Sequence, residues 1–106
     1  PAEEWKPVVG YERYYEVSSL GRVRRLIPSI TRGLPAGYVL KPHANGSGYP
    51  IVVLRDSETR CQRSLVLHNV VTAAFLGPKP PGMQVNHIDG DKWNPAISNL
   101  EYVTAG

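Results

Sequence analysis

The run Val85-Asn86-His87-Ile88-Asp89-Gly90 sets an imidazole directly after a carboxamide, and a second carboxamide, Asn99, follows His87 by twelve residues. Cutting a phosphodiester requires a base to activate water and a cation to stabilise the developing charge or the leaving oxygen. Histidine suits the first task because an unperturbed imidazole titrates at about 6.5. Oxygen ligands suit Mg²⁺ or Mn²⁺, ions that keep several waters and bind through few protein groups. Asp89-Gly90 and Asn94-Pro95 read as turn formers. Asp89 and Asp91 mimic the opening of a calcium loop, yet the downstream glycine and glutamate that such a loop requires are absent.

These side chains need elements to hold them. Gln84-Val85-Asn86-His87-Ile88 and Leu100-Glu101-Tyr102-Val103 read as two strands. Neighbours on a regular strand face opposite ways, so a strand that brings Asn86 and His87 to one place should break or bulge there. Upstream, Leu67, Val70, Val71, Ala74 and Phe75 recur at helical spacing, and Gly77-Pro78 stops the helix. Val66, Val70, Val71 and Thr72 are mediocre helix formers, so burial must hold this helix. His68 shares a face with Val71 and Phe75 and reads as a packed, hydrogen-bonded histidine near the site. Trp5 and Trp93 read as core residues or hydrophobic caps.

Earlier still, Tyr14-Tyr15-Glu16-Val17 and Arg22-Val23-Arg24-Arg25-Leu26 flank a turn in which Gly21 takes the awkward backbone angle, a β-hairpin pattern. Residues 28–47 are irregular apart from a short Tyr38-Val39-Leu40 strand, and a second hairpin joins 49–54 to 60–65 through a turn at 56–59.

With 106 residues, 12 Lys+Arg against 9 Asp+Glu, and 10 Gly and 10 Pro, the chain fits one small basic domain of short elements. No acidic residue stands between Glu16 and Asp56, where Arg22, Arg24, Arg25, Arg32, Lys41 and Arg55 fall, a composition that suits phosphates. Lone Cys61 excludes an internal disulfide framework, and no Cys-x-x-Cys pair is present for a structural zinc. A soluble, cytoplasmic protein is expected, since neither a signal-peptide core nor a membrane-length apolar run occurs. No Gly-x-Ser-x-Gly elbow, dinucleotide glycine fingerprint or phosphate-cradling loop points to an acyl hydrolase or nucleotide-binding enzyme.

The stretch from Val85 to Thr104 resembles the HNH endonucleases of the phage and intron homing type, whose ββα-metal motif reads like Val-Asn-His-Ile-Asp-Gly, a polar loop, then Asn-Leu-Glu-aromatic-Val-Thr. Leu67-His68-Asn69-Val70-Val71-Thr72-Ala73-Ala74-Phe75-Leu76-Gly77-Pro78 resembles the helix before that motif, and Gly48-Tyr49-Pro50-Ile51-Val52-Val53-Leu54 the strand before the helix. Trp5-Lys6-Pro7-Val8-Val9-Gly10-Tyr11-Glu12, Tyr14-Tyr15-Glu16-Val17-Ser18 and Leu20-Gly21-Arg22-Val23-Arg24 are similar to a nuclease-associated N-terminal module thought to contact DNA. Three blocks in the family's order make the resemblance specific.

The resemblance implies an α+β fold, with a small N-terminal antiparallel sheet over residues 1–47, and a helix and ββα-metal unit over 48–106, the whole forming one compact unit. It implies that His87 is the general base and that Asn86, where the family often carries Asp, ligates a divalent metal, Mg²⁺ or Mn²⁺. Asn99 orients the histidine or supports the loop, and His68 lies behind the site. The family's closing helix, with one more Asn or His ligand, falls past Gly106. Arg22, Arg24, Arg25, Arg32, Lys41 and Lys92 are the expected contacts to double-stranded DNA. The expected activity is metal-dependent cleavage of DNA, nicking by a monomer in a bacterial or phage-infected cell. The rivals are a DNA-binding protein that keeps the HNH fold with a weak or inactive site, and a ribosomal-type RNA-binding domain.

Overall fold

Residues alternating between apolar and polar around the first tyrosine pair build the first sheet. β1 (Trp5–Pro7), β2 (Tyr15–Ser18) and β3 (Val23–Arg25) are antiparallel in that order, with Val17 opposite Val23. The computed structural model describes residues 3–29, 32–55 and 62–104. The expected turn at 56–59 and Cys61 lie outside the described residues. At the β2–β3 turn the Ser18 hydroxyl accepts from the Leu20 and Arg22 N–H groups, and Gly21 adopts φ +87°.

The expected 38–40 strand is only a bridge, Val39 to Arg24, with Tyr38 and Leu40 making single backbone bonds to Arg25 and Val23. The paired strand is β4 (His43–Ala44), which runs antiparallel to β5 (Pro50–Arg55), itself paired with β6 (Gln62–Val66). Pro42 and the tight turn at Asn45 explain the shift. Asn45 Oδ1 accepts from the Ser47 and Tyr49 N–H groups and closes the β4–β5 hairpin immediately after β4.

The helix, α1 (Leu67–Phe75), follows β6 without a break. It has neither a side-chain N-cap bond nor an acidic residue in its first turn, so local signals do not hold it. Burial does, through Leu67, Val70, Val71 and Thr72. The Thr72 hydroxyl donates back to the His68 carbonyl, using the residue's polar atom inside the helix. Gly77, at φ +83°, ends the run as its spacing predicts. A third sheet pairs β7 (Met83–His87) with β8 (Leu100–Thr104), and a 3-10 turn at Ile97–Asn99 precedes β8.

All three sheets meet on α1. The core takes Tyr15, Val17 and Val23 from the first sheet, Val52 and Leu54 from the second, three residues of α1, and Leu100 from the third. The fold is therefore α+β, with one α-helix among the described residues and a shared core. No helix among the described residues is long and apolar enough to cross a membrane.

Candidate active site

His87 ends β7 opposite Leu100 and points inward, only 9% exposed. Its ring meets the His68 ring edge to face, with centroids 5.0 Å apart, and the Tyr49 ring at 6.2 Å. Tyr49 in turn meets His68 at 5.3 Å. The three rings come from α1, from β7 and from the residue before β5, so packing of the second and third sheets on the helix creates the cluster. His87 Nε2 and His68 Nδ1 are buried and have no protein hydrogen-bond partner. Burial pushes the His87 imidazole below its ordinary value against the opposing pull of Asp89 and Asp91, with Lys92 adding to the lowering. Burial and the neighbouring His87 bring His68 down to about 4. Both imidazoles are therefore neutral at pH 7, and each keeps a nitrogen that no protein group occupies. That is the condition a base needs before it takes a proton.

Asn99 fixes the loop beyond His87. Its Oδ1 accepts from the Asp89 N–H at 2.9 Å, and its Nδ2 donates to Asp89 Oδ1 at 2.9 Å and to the Asn94 carbonyl at 3.1 Å. Its own carbonyl accepts from the Ile88 N–H. Of the two roles expected for Asn99, these bonds serve support of the loop. Asp89 is the loop's hub, also receiving Asn94 Nδ2 and the Asp91 N–H. Those donors, Asn94 first, hold its carboxyl below the usual range, so Asp89 is a committed structural carboxylate.

Two further ties fasten this loop to the Tyr49 turn. The Trp93 indole N–H donates to the Gly48 carbonyl at 3.0 Å, and Lys92 Nζ lies 4.6 Å from the Tyr49 ring centroid. Trp93 is thus a half-exposed clasp rather than a core residue. Lys92, expected to face DNA, lies on Tyr49 and donates to the Ser47 carbonyl.

The expected bulge at Asn86 is absent. β7 stays in register through Asn86 opposite Glu101 and His87 opposite Leu100, so the two side chains take opposite faces. Asn86 is exposed, and its Nδ2 donates to Glu101 Oε1 at 3.0 Å. Asn86 Oδ1 and the Glu101 carboxylate are oxygen donors of the kind a hard divalent cation takes. They fit such an ion in kind but stand on the face away from His87. The described residues hold no group of three or more His, Cys, Asp or Glu able to bind one ion.

Arg22, just before β3, and Arg24 and Arg25 within it are also differently placed from a free phosphate-binding row. Arg22 is ion-paired with Glu3 and Arg24 with Glu16, and both guanidiniums lie over the Trp5 ring. The Arg22 bond holds the Glu3 carboxyl down at about 2. Arg25 donates to the Ile27 carbonyl and the Tyr15 hydroxyl. Arg32 and Lys41 are exposed and line a separate cleft together with Arg55.

Residues 3–55 match the family model of the NUMOD4 motif, and residues 66–105 match that of HNH endonuclease. The chain belongs to the HNH endonucleases. It is 31% identical over 101 residues to the DNA endonuclease I-HmuI of Bacillus phage SP01, a match covering 95% of this chain and 52% of that protein. It is 32% identical over 108 residues to an uncharacterised HNH endonuclease of Acanthamoeba polyphaga mimivirus, covering 98% of this chain and 24% of the relative. A solved structure described as DNA binding and cleavage by the HNH homing endonuclease I-HmuI matches with a TM-score of 0.74 at 33% identity, over 95% of this chain and 52% of that one. The chain thus spans about half the length of I-HmuI. HNH nucleases generally use a divalent metal.

Within this HNH chain, sequence reasoning missed Tyr49 as the third ring of the site and Glu101 as the partner of Asn86. The Asn86–Glu101 pairing follows from strand register once the hairpin is known. No local signal marks Tyr49, which reaches the histidines only through tertiary packing.

Proposed function

We propose that this chain carries the cleaving centre of a homing-type HNH endonuclease that hydrolyses a phosphodiester of double-stranded DNA, with His87 as the general base. The observation that supports this reading best is His87 at the end of β7, neutral and with no protein partner for its Nε2, in a chain matched over most of its length to a DNA endonuclease. His87 takes the proton of the attacking water. His68 and Tyr49 wall the imidazole in, and Asn99 holds the loop through which the strand continues. Asn86 and Glu101 would offer oxygen ligands to the proposed cation, Mg²⁺ or Mn²⁺, and such an ion would supply stabilisation of negative charge on a leaving 3′ oxygen. One base per copy fits nicking of a single strand by a monomer, and the phage relative points to a bacterial or phage-infected cytoplasm.

Conversion of supercoiled plasmid to open circles with Mg²⁺ or Mn²⁺, abolished by EDTA, is the expected result. Direct linearisation without an open-circle stage would contradict nicking, and conversion unaffected by EDTA would contradict the metal. The second reading is a DNA-binding protein that retains the fold without cutting. The position of Asn86 on the face away from His87 favours it, and binding of duplex without conversion under any metal would select it.

A further inference from the structure

At the far end of β5 from the histidines lies a surface cleft of about 360 Å³ whose polar lining is Arg32, Tyr38, Lys41, His43, Arg55 and Gln62. Among the described residues, no carboxylate lines it. Arg32, Lys41 and Arg55 have no ion pair among the described residues, whereas Arg22 and Arg24 are each matched with a glutamate. Tyr49, whose ring stands 6.2 Å from that of His87, immediately precedes β5, and Arg55 ends β5, so about 20 Å of chain at ~3.3 Å per residue separates the two. Three cations with no ion pair among the described residues, set in one concave surface, focus positive potential, and the phenol, amide and imidazole add directional hydrogen bonds. That chemistry suits a singly charged phosphodiester.

We propose that this cleft seats one backbone phosphate of the duplex, flanking the bond that His87 attacks. The proposal rests on the reading of the chain as a DNA endonuclease and deepens it, assigning register on the duplex to Arg32, Lys41 and Arg55 rather than to the ion-paired Arg22 and Arg24. The cleft's role is sequence-independent positioning.

The test is duplex affinity of the full chain in EDTA, measured between 50 and 200 mM salt, for wild type, Arg55→Gln, Lys41→Gln, Arg55→Lys and Arg63→Gln. Arg63→Gln removes the same charge from β6 outside the cleft. Losing one phosphate contact lowers the slope of log affinity against log salt by about 0.9 and weakens binding about three- to tenfold. Arg55→Gln and Lys41→Gln are expected to show both effects, Arg55→Lys to restore the slope, and Arg63→Gln to keep it. Unchanged slopes in Arg55→Gln and Lys41→Gln, with wild type binding and cutting, would overturn the cleft alone. A wild-type chain that binds no duplex would overturn the cleft and the endonuclease reading together.

Discussion

The rings of His68 and His87 stand edge to face with centroids 5.0 Å apart and planes at 71°. Charging one imidazole there would place it in a buried setting beside the other, so the pair is neutral in the folded protein. The folded pKa of His68 is about 4, against about 6.5 when unfolded. Between these values the unfolded chain binds a proton that the folded chain does not, so stability is full above pH 6.5 and falls as the pH drops toward 4. The lowering at His87 acts with the same sign. The melting temperature of wild type is expected to fall over that window, and that of His68→Gln to fall less steeply. Parallel profiles for the two proteins would show that His68 carries no such linkage.

Asn99→Ala removes three side-chain hydrogen bonds and leaves the Asp89 N–H and the Asn94 carbonyl without a partner. A loss of about 2–3 kcal/mol in urea unfolding is expected, because orphaned polar groups cost more than the net worth of the bonds they lose. Cleavage should fall more than duplex affinity, since the loop and not the phosphate contacts is loosened. An unchanged unfolding midpoint would remove Asn99 as the brace of the loop.

Gly21→Ala tests how tightly the first sheet is joined to the site. A Cβ at Gly21 would stand 2.3 Å from Pro95 Cγ and 2.9 Å from the Pro95 carbonyl oxygen, in a residue already at φ +87°. The Ile97 N–H donates to the Ser19 carbonyl at the same contact. Left-handed strain and the clash together are expected to cost about 2–4 kcal/mol, or about 10–20 °C in melting temperature. Gly90→Ala, at φ +79° but with open space around its Cβ, is expected to cost only about 1 kcal/mol. Equal effects of the two substitutions would mean that the Gly21–Pro95 contact does not constrain the fold.

Trp93→Phe keeps a ring but removes the donor to the Gly48 carbonyl. Stability is expected to drop by about 0.5–1.5 kcal/mol. Catalytic turnover should fall with substrate affinity unchanged, because the clasp sets the Tyr49 turn against the histidines. A loss confined to affinity would instead make Trp93 a DNA contact.

Local pattern foretold much of this fold. The first hairpin with Gly21 in its turn, the β5–β6 pair, α1 with its stop at Gly77, and the β7–β8 pair all follow from period and punctuation. The 38–40 segment did not, because its β character is real but Asn45 closes the next hairpin first, leaving β4 at His43–Ala44. His87 was visible through its motif, and Asn99 as one of two alternatives. The sequence places His68 as a packed histidine near the site, but not as one whose Nδ1 has no protein partner, and it leaves Tyr49 unmarked, for Tyr49 joins the histidines only when α1 packs against both hairpins. Likewise, nothing in the spacing of Arg22 and Arg24 shows that Glu3 and Glu16 take up their charge, since those pairs form across strands or from the terminal segment.

The most direct test of the central role given to His87 compares plasmid cleavage and duplex affinity for wild type and His87→Ala under the same metal. Removal of a general base is expected to lower the cleavage rate by about 10²–10⁴ while affinity for duplex stays nearly the same. Equal loss of cleavage and affinity, or cleavage that survives the substitution, would contradict the assignment.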